Sequence, residues 1–349
     1  MTTLPPPAPL TTPQAPLTTP EVDSLYPDLA KLVFGVAVQS LDESSVPVGL
    51  GSLMPTAGRA NLRAKGSDKS ATTPTAKAEP MVEILEGLEK YSRPNGQDYY
   101  ARKWGEHTDI EVLRKARAEK HFILLYGNPG CGKTALVEGA FGDDLYTIIG
   151  TGDTETGDFL GGYVQTPSGG FEWVDGVLTR AVEEGKVLLI DEVGLIDPKV
   201  MSLVYGLMDG RDELVISANP ERGVVKAKEG FYVICATNPN APGVRLSEAL
   251  LSRCVIQAEM TTDWALAKKL GVPATATTLA QNLSKKQQSG ETTWSPQFRE
   301  LLAFRDLAKT FGTKWAVSNL IGSAPEMDRP VVIDVATRVF GEECRPAKI

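Results

Sequence analysis

Three unbroken apolar runs punctuate the middle of the chain, and each stops at polar or glycine-rich residues. They are Phe122-Ile123-Leu124-Leu125-Tyr126 before Gly127, Val187-Leu188-Leu189-Ile190 between Lys186 and Asp191-Glu192, and Phe231-Tyr232-Val233-Ile234-Cys235-Ala236 before Thr237-Asn238. Continuous rather than alternating apolar runs predict strands buried on both faces of a parallel sheet. Ala135-Leu136-Val137-Glu138 opens a helix after the first run, and a second helix is expected from Gly176 to Glu184. Tyr163-Val164-Gln165 and Phe171-Glu172-Trp173-Val174, separated by Thr-Pro-Ser-Gly-Gly, read as a hairpin. Upstream, apolar residues over Met81–Leu88 recur at helical spacing, Arg93-Pro94-Asn95-Gly96 signals a turn, and Thr108 caps a helix that begins Asp109-Ile110-Glu111. Past Thr261 only helical patterns remain: Asp263–Gly271, ended by glycine, and a helix begun by Ser295-Pro296 with a cap and a first-turn proline. The pattern divides the chain into an α/β domain over 81–258 and a small helical domain over 259–349.

Composition changes the picture mainly at the N-terminus. Residues 1–20 are almost wholly Pro, Thr, Ala and Leu, and 57–80 return to Ala, Lys, Ser, Thr and Gly without periodicity. Such segments bury too little surface to offset their ordering entropy, so 1–80 is expected to be a disordered tail and linker. The one apolar cluster within it is Leu32–Val38, whose role is not legible. A formal charge of −8 over 349 residues argues against a broad nucleic-acid-gripping face. Four scattered cysteines and two histidines, with no Cys-x-x-Cys pair, indicate neither a disulfide framework nor a structural zinc site. No apolar run reaches the length that spans a bilayer, so no membrane partner is expected and the cytoplasm is the expected compartment.

The candidate chemistry lies where the buried runs end. Gly127-Asn128-Pro129-Gly130-Cys131-Gly132-Lys133-Thr134, running into Ala135, sits between a strand and a helix start. That is the context of a phosphate-binding loop, whose glycines let consecutive N–H groups turn onto a phosphate at the positive end of a helix. Lys133 would reach the β- and γ-phosphates of ATP and the Thr134 hydroxyl would ligate Mg²⁺. Asp191 is placed to hold the same ion and Glu192 to polarise the attacking water. Asn238, at the end of the third run, would face the γ-phosphate and that water. The 93–113 stretch is expected to contribute to the base pocket. The 163–174 hairpin reads equally well as decoration or as a substrate-touching loop.

Taken together, these stretches resemble the AAA+ ATPases over roughly residues 93–340, and within them the dynein-related branch that includes the MoxR, CbbQ and CobS-like proteins. The Gly132-Lys133-Thr134 loop resembles Walker A, Leu189-Ile190-Asp191-Glu192 resembles Walker B, and Ala236-Thr237-Asn238-Pro239 is similar to sensor 1. Glu248-Ala249-Leu250-Leu251-Ser252-Arg253 resembles the arginine-finger motif, which implies that Arg253 meets a neighbouring subunit's ATP. Arg299 is the implied match to sensor 2, with Arg305 on the same expected helix. The span from Gly157 to Val177 resembles the helix-2 insertion that faces the central pore in relatives. The resemblance implies a P-loop NTPase (AAA+) sheet flanked by helices, followed by an α-helical lid. It also implies a homo-oligomeric ring, usually hexameric, that hydrolyses ATP to remodel a partner protein. Several relatives work with a partner carrying a von Willebrand A-type domain. A nucleotide-dependent DNA-handling factor, such as a helicase loader, is the alternative, and acidity together with the lack of an appended DNA-binding motif disfavours it.

Overall fold

A hairpin, not a helix, begins the described residues. In this computed structural model, which describes residues 83–85 and 87–347, β1 (Glu83–Leu85) pairs antiparallel with β2 (Leu88–Ser92), with Leu85 opposite Leu88. The helix expected over Met81–Leu88 is thereby corrected. Apolar residues three apart fit a helical stripe, but they also flank a tight turn, and Gly87 takes φ +77° there, which a helix does not use. The expected tail and linker, including Leu32–Val38, lie outside the described residues.

β3 (Asp98–Tyr100) completes this small sheet, and β4 (Lys103–Trp104) with β5 (His107–Thr108) forms a short ladder. Helix α1 (Asp109–Ala118) then starts in a capping box: Thr108 Oγ1 accepts from Glu111 N at 3.2 Å and Glu111 Oε2 accepts from Thr108 N at 2.8 Å. Thr108→Ala leaves the first bond without an acceptor. It is expected to lower stability by about 1 kcal/mol, read as a shift of the denaturant midpoint at unchanged slope.

The sheet that carries the site follows. After β6 (Ile123–Tyr126) come α2 (Lys133–Phe141), β7 (Leu145–Ile149), the short α3 (Thr156–Leu160), the hairpin β8 (Gly161–Gln165) and β9 (Phe171–Asp175), α4 (Val177–Glu184) and β10 (Val187–Asp191). Next are α5 (Pro198–Met208), the hairpin β11 (Glu213–Val215) and β12 (Val224–Lys226), β13 (Tyr232–Thr237), α6 (Glu248–Arg253) and β14 (Ile256–Glu259). Five of these strands form one parallel sheet in the order β14-β6-β13-β10-β7. Val187 to Ile190 and Tyr232 to Ala236 are wholly buried, as strands covered on both faces must be. Because β13 inserts between β6 and β10, the ends of the three apolar runs lie side by side at the carboxyl edge, where ligands of such sheets bind. The result is a five-stranded parallel sheet flanked by helices.

The chain then leaves the sheet for α7 (Trp264–Lys269), α8 (Ala274–Gln288), α9 (Phe298–Phe311), α10 (Thr313–Ser323) and α11 (Arg329–Phe340). These helices share a separate apolar core that includes Leu279, Leu283, Leu301, Phe304, Leu320 and Val332. The helix expected to begin at Ser295-Pro296 starts later. Its cap is Gln297, in a reciprocal box with Glu300, while the buried Ser295 hydroxyl donates instead to Gln287 Oε1 at 2.7 Å. No helix among the described residues is long and apolar enough to cross a membrane.

Candidate nucleotide site

The loop from Gly127 to Gly132 is shaped by close approaches that exclude side chains. Gly127 takes φ +148°, and a Cβ on it would lie 2.3 Å from the Met260 carbonyl oxygen. Gly132 takes φ +106°, and a Cβ there would meet the Arg102 guanidinium at 2.7 Å. Helix α2 begins at the next residue with neither a capping side chain nor an acid in its first turn. Its N-terminal N–H groups and positive dipole end are thus left for an anion.

Lys133 is buried, and its Nζ donates to the carbonyls of Gly127 at 2.8 Å and Asn128 at 3.3 Å, folded back along the loop. Thr134 Oγ1 donates to Asp191 Oδ2 at 2.6 Å, joining the start of α2 to the end of β10. Asp191 Oδ1 accepts from Glu192 N at 3.0 Å, and Glu192 Oε2 accepts from Asn238 N at 3.1 Å. Glu192 has φ +51°, a left-handed conformation that is uncommon and costly for a residue with a Cβ and that recurs at functional sites. Asn238 also caps its own turn through Asn240 N at 3.2 Å, and the Asn240 amide reaches Asn128 Oδ1 at 3.4 Å. The structure therefore brings Lys133, Thr134, Asp191, Glu192 and Asn238 into one bonded cluster around the loop.

Beside the loop lies a cleft of about 490 Å³ whose lining includes Arg102, Trp104, Asp109, Leu136, Met260 and Asp263. Arg102 was not singled out by sequence, because what defines it is tertiary. Its guanidinium donates to the carbonyls of Cys131 at 2.9 Å and Thr261 at 3.2 Å and lies over the Phe298 ring at 5.1 Å. Buried Asp109 holds the Arg102 backbone N–H at 3.0 Å and accepts from the Tyr99 hydroxyl. Burial pushes the Asp109 carboxyl above the usual carboxylate range, against the lowering effect of those bonds.

Residues 122–254 match the family model of the AAA domain, dynein-related subfamily. This stretch is an AAA domain of that subfamily. Protein NorQ of Paracoccus denitrificans is 34% identical over 134 residues, covering 38% of this chain and 48% of NorQ. The uncharacterized protein YojN of Bacillus subtilis is 36% identical over 143 residues, 38% of this chain and 46% of YojN. Midasin of Giardia intestinalis is 36% identical over 135 residues, 38% of this chain and 3% of midasin. The chain thus spans half or less of the length of these relatives.

The AAA domain contains the whole bonded cluster and Arg253, whereas Arg102 and Arg299 fall outside the matched stretch. Arg253 makes no hydrogen bond to its own phosphate loop among the described residues. Its guanidinium pairs with Asp209 and donates to the Ala249 carbonyl. That pairing holds the Asp209 carboxyl below the usual carboxylate range. Arg299 stands in the first turn of α9, its backbone N–H donating to Gly130 O at 3.1 Å, so this helix end rests on the loop. Arg305 is instead engaged by Asp306 and by the Leu270 carbonyl at 2.9 Å. Of the two lid arginines, the structure thus places Arg299 at the loop. The β8–β9 hairpin of the AAA domain leaves Tyr163, Val164, Phe171 and Val174 exposed.

Proposed function

We propose that this chain is a Mg²⁺-dependent ATPase that works as a homo-oligomeric ring, hexameric by the pattern of the family it resembles, to remodel or activate a partner protein complex. The observation that carries the hydrolytic reading is the 2.6 Å bond between Thr134 and Asp191 beside the Glu192–Asn238 pair, all at the carboxyl edge of the sheet. A hydroxyl and a carboxylate are hard oxygen donors, and Mg²⁺ favours one or two such protein ligands with phosphates and water filling its other positions. Thr134 would ligate Mg²⁺ and Asp191 would hold it through its water shell, where the ion would neutralise charge on the β- and γ-phosphates.

In this reading the α2 N-terminus and the loop N–H groups cradle the phosphates, and Lys133 exchanges its loop carbonyls for phosphate oxygens. Glu192 accepts the proton of the attacking water, its carboxylate oriented by Asn238 N. The Asn238 side chain positions that water, and Arg299 contacts the phosphates from the lid. The cleft beside Arg102 takes the base, its volume suiting a small ligand. Arg253, which its own loop does not use, serves the site of the next subunit. The exposed aromatic hairpin is the element that meets the client, a reading that goes beyond decoration because Tyr163 and Phe171 are more than half exposed, at 55% and 69%.

Glu192→Gln tests the hydrolytic core. ATP binding should persist while steady-state turnover falls by about 10²-fold or more, since only proton acceptance is removed. Unchanged turnover would remove Glu192 as the base. The same variant should hold the ATP-bound assembly long enough for its client to co-purify from the native host.

A further inference from the structure

Arg253 has five N–H donors, and the structure accounts for three. Nε donates to Asp209 Oδ1 at 2.8 Å, Nη2 to Asp209 Oδ2 at 2.6 Å, and Nη1 to the Ala249 carbonyl at 2.7 Å. The guanidinium also lies over the Tyr205 ring at 4.6 Å, and the Tyr205 hydroxyl shares a hydrogen bond of 2.9 Å with Ser247, the cap of α6. A carboxylate on one flank, a carbonyl on another and a ring face beneath fix the guanidinium plane. One N–H on each of Nη1 and Nη2 is then left over among the described residues. Asp209 takes the side edge through Nε and Nη2, so the remaining Nη2 N–H lies on the outer edge of the fork, the edge suited to a phosphate.

Asp209 stands at the end of α5, immediately before Gly210. It caps the C-terminus of α5, where the helix dipole disfavours a carboxylate. With its side chain 44% exposed, the pair it makes with Arg253 adds little to stability. An aspartate before Gly210 suits the turn that ends the helix, and its side chain is spent on Arg253, which it orients.

We infer that Asp209 is a positioning residue: it grips the side edge of the Arg253 fork and so presents the outer edge to the γ-phosphate bound by a neighbouring copy of this chain. The inference rests on the reading of Arg253 as a residue that acts between subunits. Without Asp209 the guanidinium keeps its charge and loses its aim, and misplacement of a reacting contact by about 1 Å costs on the order of 10²-fold in rate.

The test compares Asp209→Ala, Asp209→Glu and Arg253→Ala for ATP turnover, KM, melting temperature and assembly size. Asp209→Ala should lower kcat by roughly 10- to 100-fold with KM for ATP within about twofold of wild type. Asp209→Glu, which keeps the carboxylate, should recover most of the loss. Mixing Asp209→Ala subunits with Lys133→Ala subunits should restore turnover, because the latter bring an intact Asp209–Arg253 pair to the intact nucleotide sites of the former. A merely structural role would lower the melting temperature and would not be repaired by mixing. Turnover at or above wild type in Asp209→Ala, with Arg253→Ala inactive, overturns the inference and leaves the Arg253 reading standing. Full turnover in Arg253→Ala overturns both.

Discussion

Arg253→Ala is expected to bind ATP normally and to lose roughly 10³- to 10⁵-fold in turnover, the range over which an arginine delivered in trans accelerates phosphoryl transfer. The expectation follows from where the side chain is and is not. It sits at the end of α6, tied to Asp209 and Ala249, and none of its hydrogen bonds reaches the loop that would hold its own subunit's phosphates. An ordinary surface arginine at a helix end would change stability by less than about 0.5 kcal/mol and turnover hardly at all. Mixing separates the two. Arg253→Ala subunits keep Lys133 and Glu192, Lys133→Ala subunits keep Arg253, and mixed rings contain interfaces with one good member of each kind. Activity should reappear although neither parent has it. Its absence in mixtures shown to co-assemble would count against action between subunits.

Lys133→Ala should fail one step earlier, at binding. The ammonium is buried among the loop carbonyls of Gly127 and Asn128 and, in the proposed reading, transfers to phosphate oxygens when ATP enters. Truncating one partner of a buried, hydrogen-bonded charge pair costs roughly 2–5 kcal/mol, or about 30- to several-thousand-fold in Kd. Equilibrium binding of a fluorescent ATP analogue measures it directly. The loop also loses two internal hydrogen bonds, so a melting curve of the nucleotide-free variant must accompany the titration. Affinity within about threefold of wild type, in a folded variant, would show that Lys133 stays on its loop carbonyls.

What was legible in the sequence was whatever a single strand-loop-helix unit dictates. The buried runs of β6, β10 and β13 and the polar residues at their ends are local signals, and a parallel sheet has one natural edge on which to gather those ends. The bond from Thr134 to Asp191 is a consequence of that gathering. Less legible were places where one pattern serves two structures. Leu85 and Leu88 suit a helix as well as a hairpin until Gly87 decides, and Ser295-Pro296 looks like a cap although Gln297 and Glu300 form the reciprocal box. Least legible were Arg102 and Asp209. Their roles depend on contacts with Cys131, Thr261 and Arg253 that exist only after distant segments have packed.

The seating of α9 on the phosphate loop gives the helical domain a mechanical advantage. Arg299 N holds Gly130 O at the near end of a 14-residue rod. At a 1.5 Å rise per residue that rod is about 21 Å long, so a tilt of about 10° around the loop sweeps its far end through about 4 Å. Phe311, at that far end, and Trp315, whose ring lies 4.8 Å from it, are both exposed and would travel with it. Any displacement of the loop that tilts α9 is therefore larger at Phe311 and Trp315 than at Gly130.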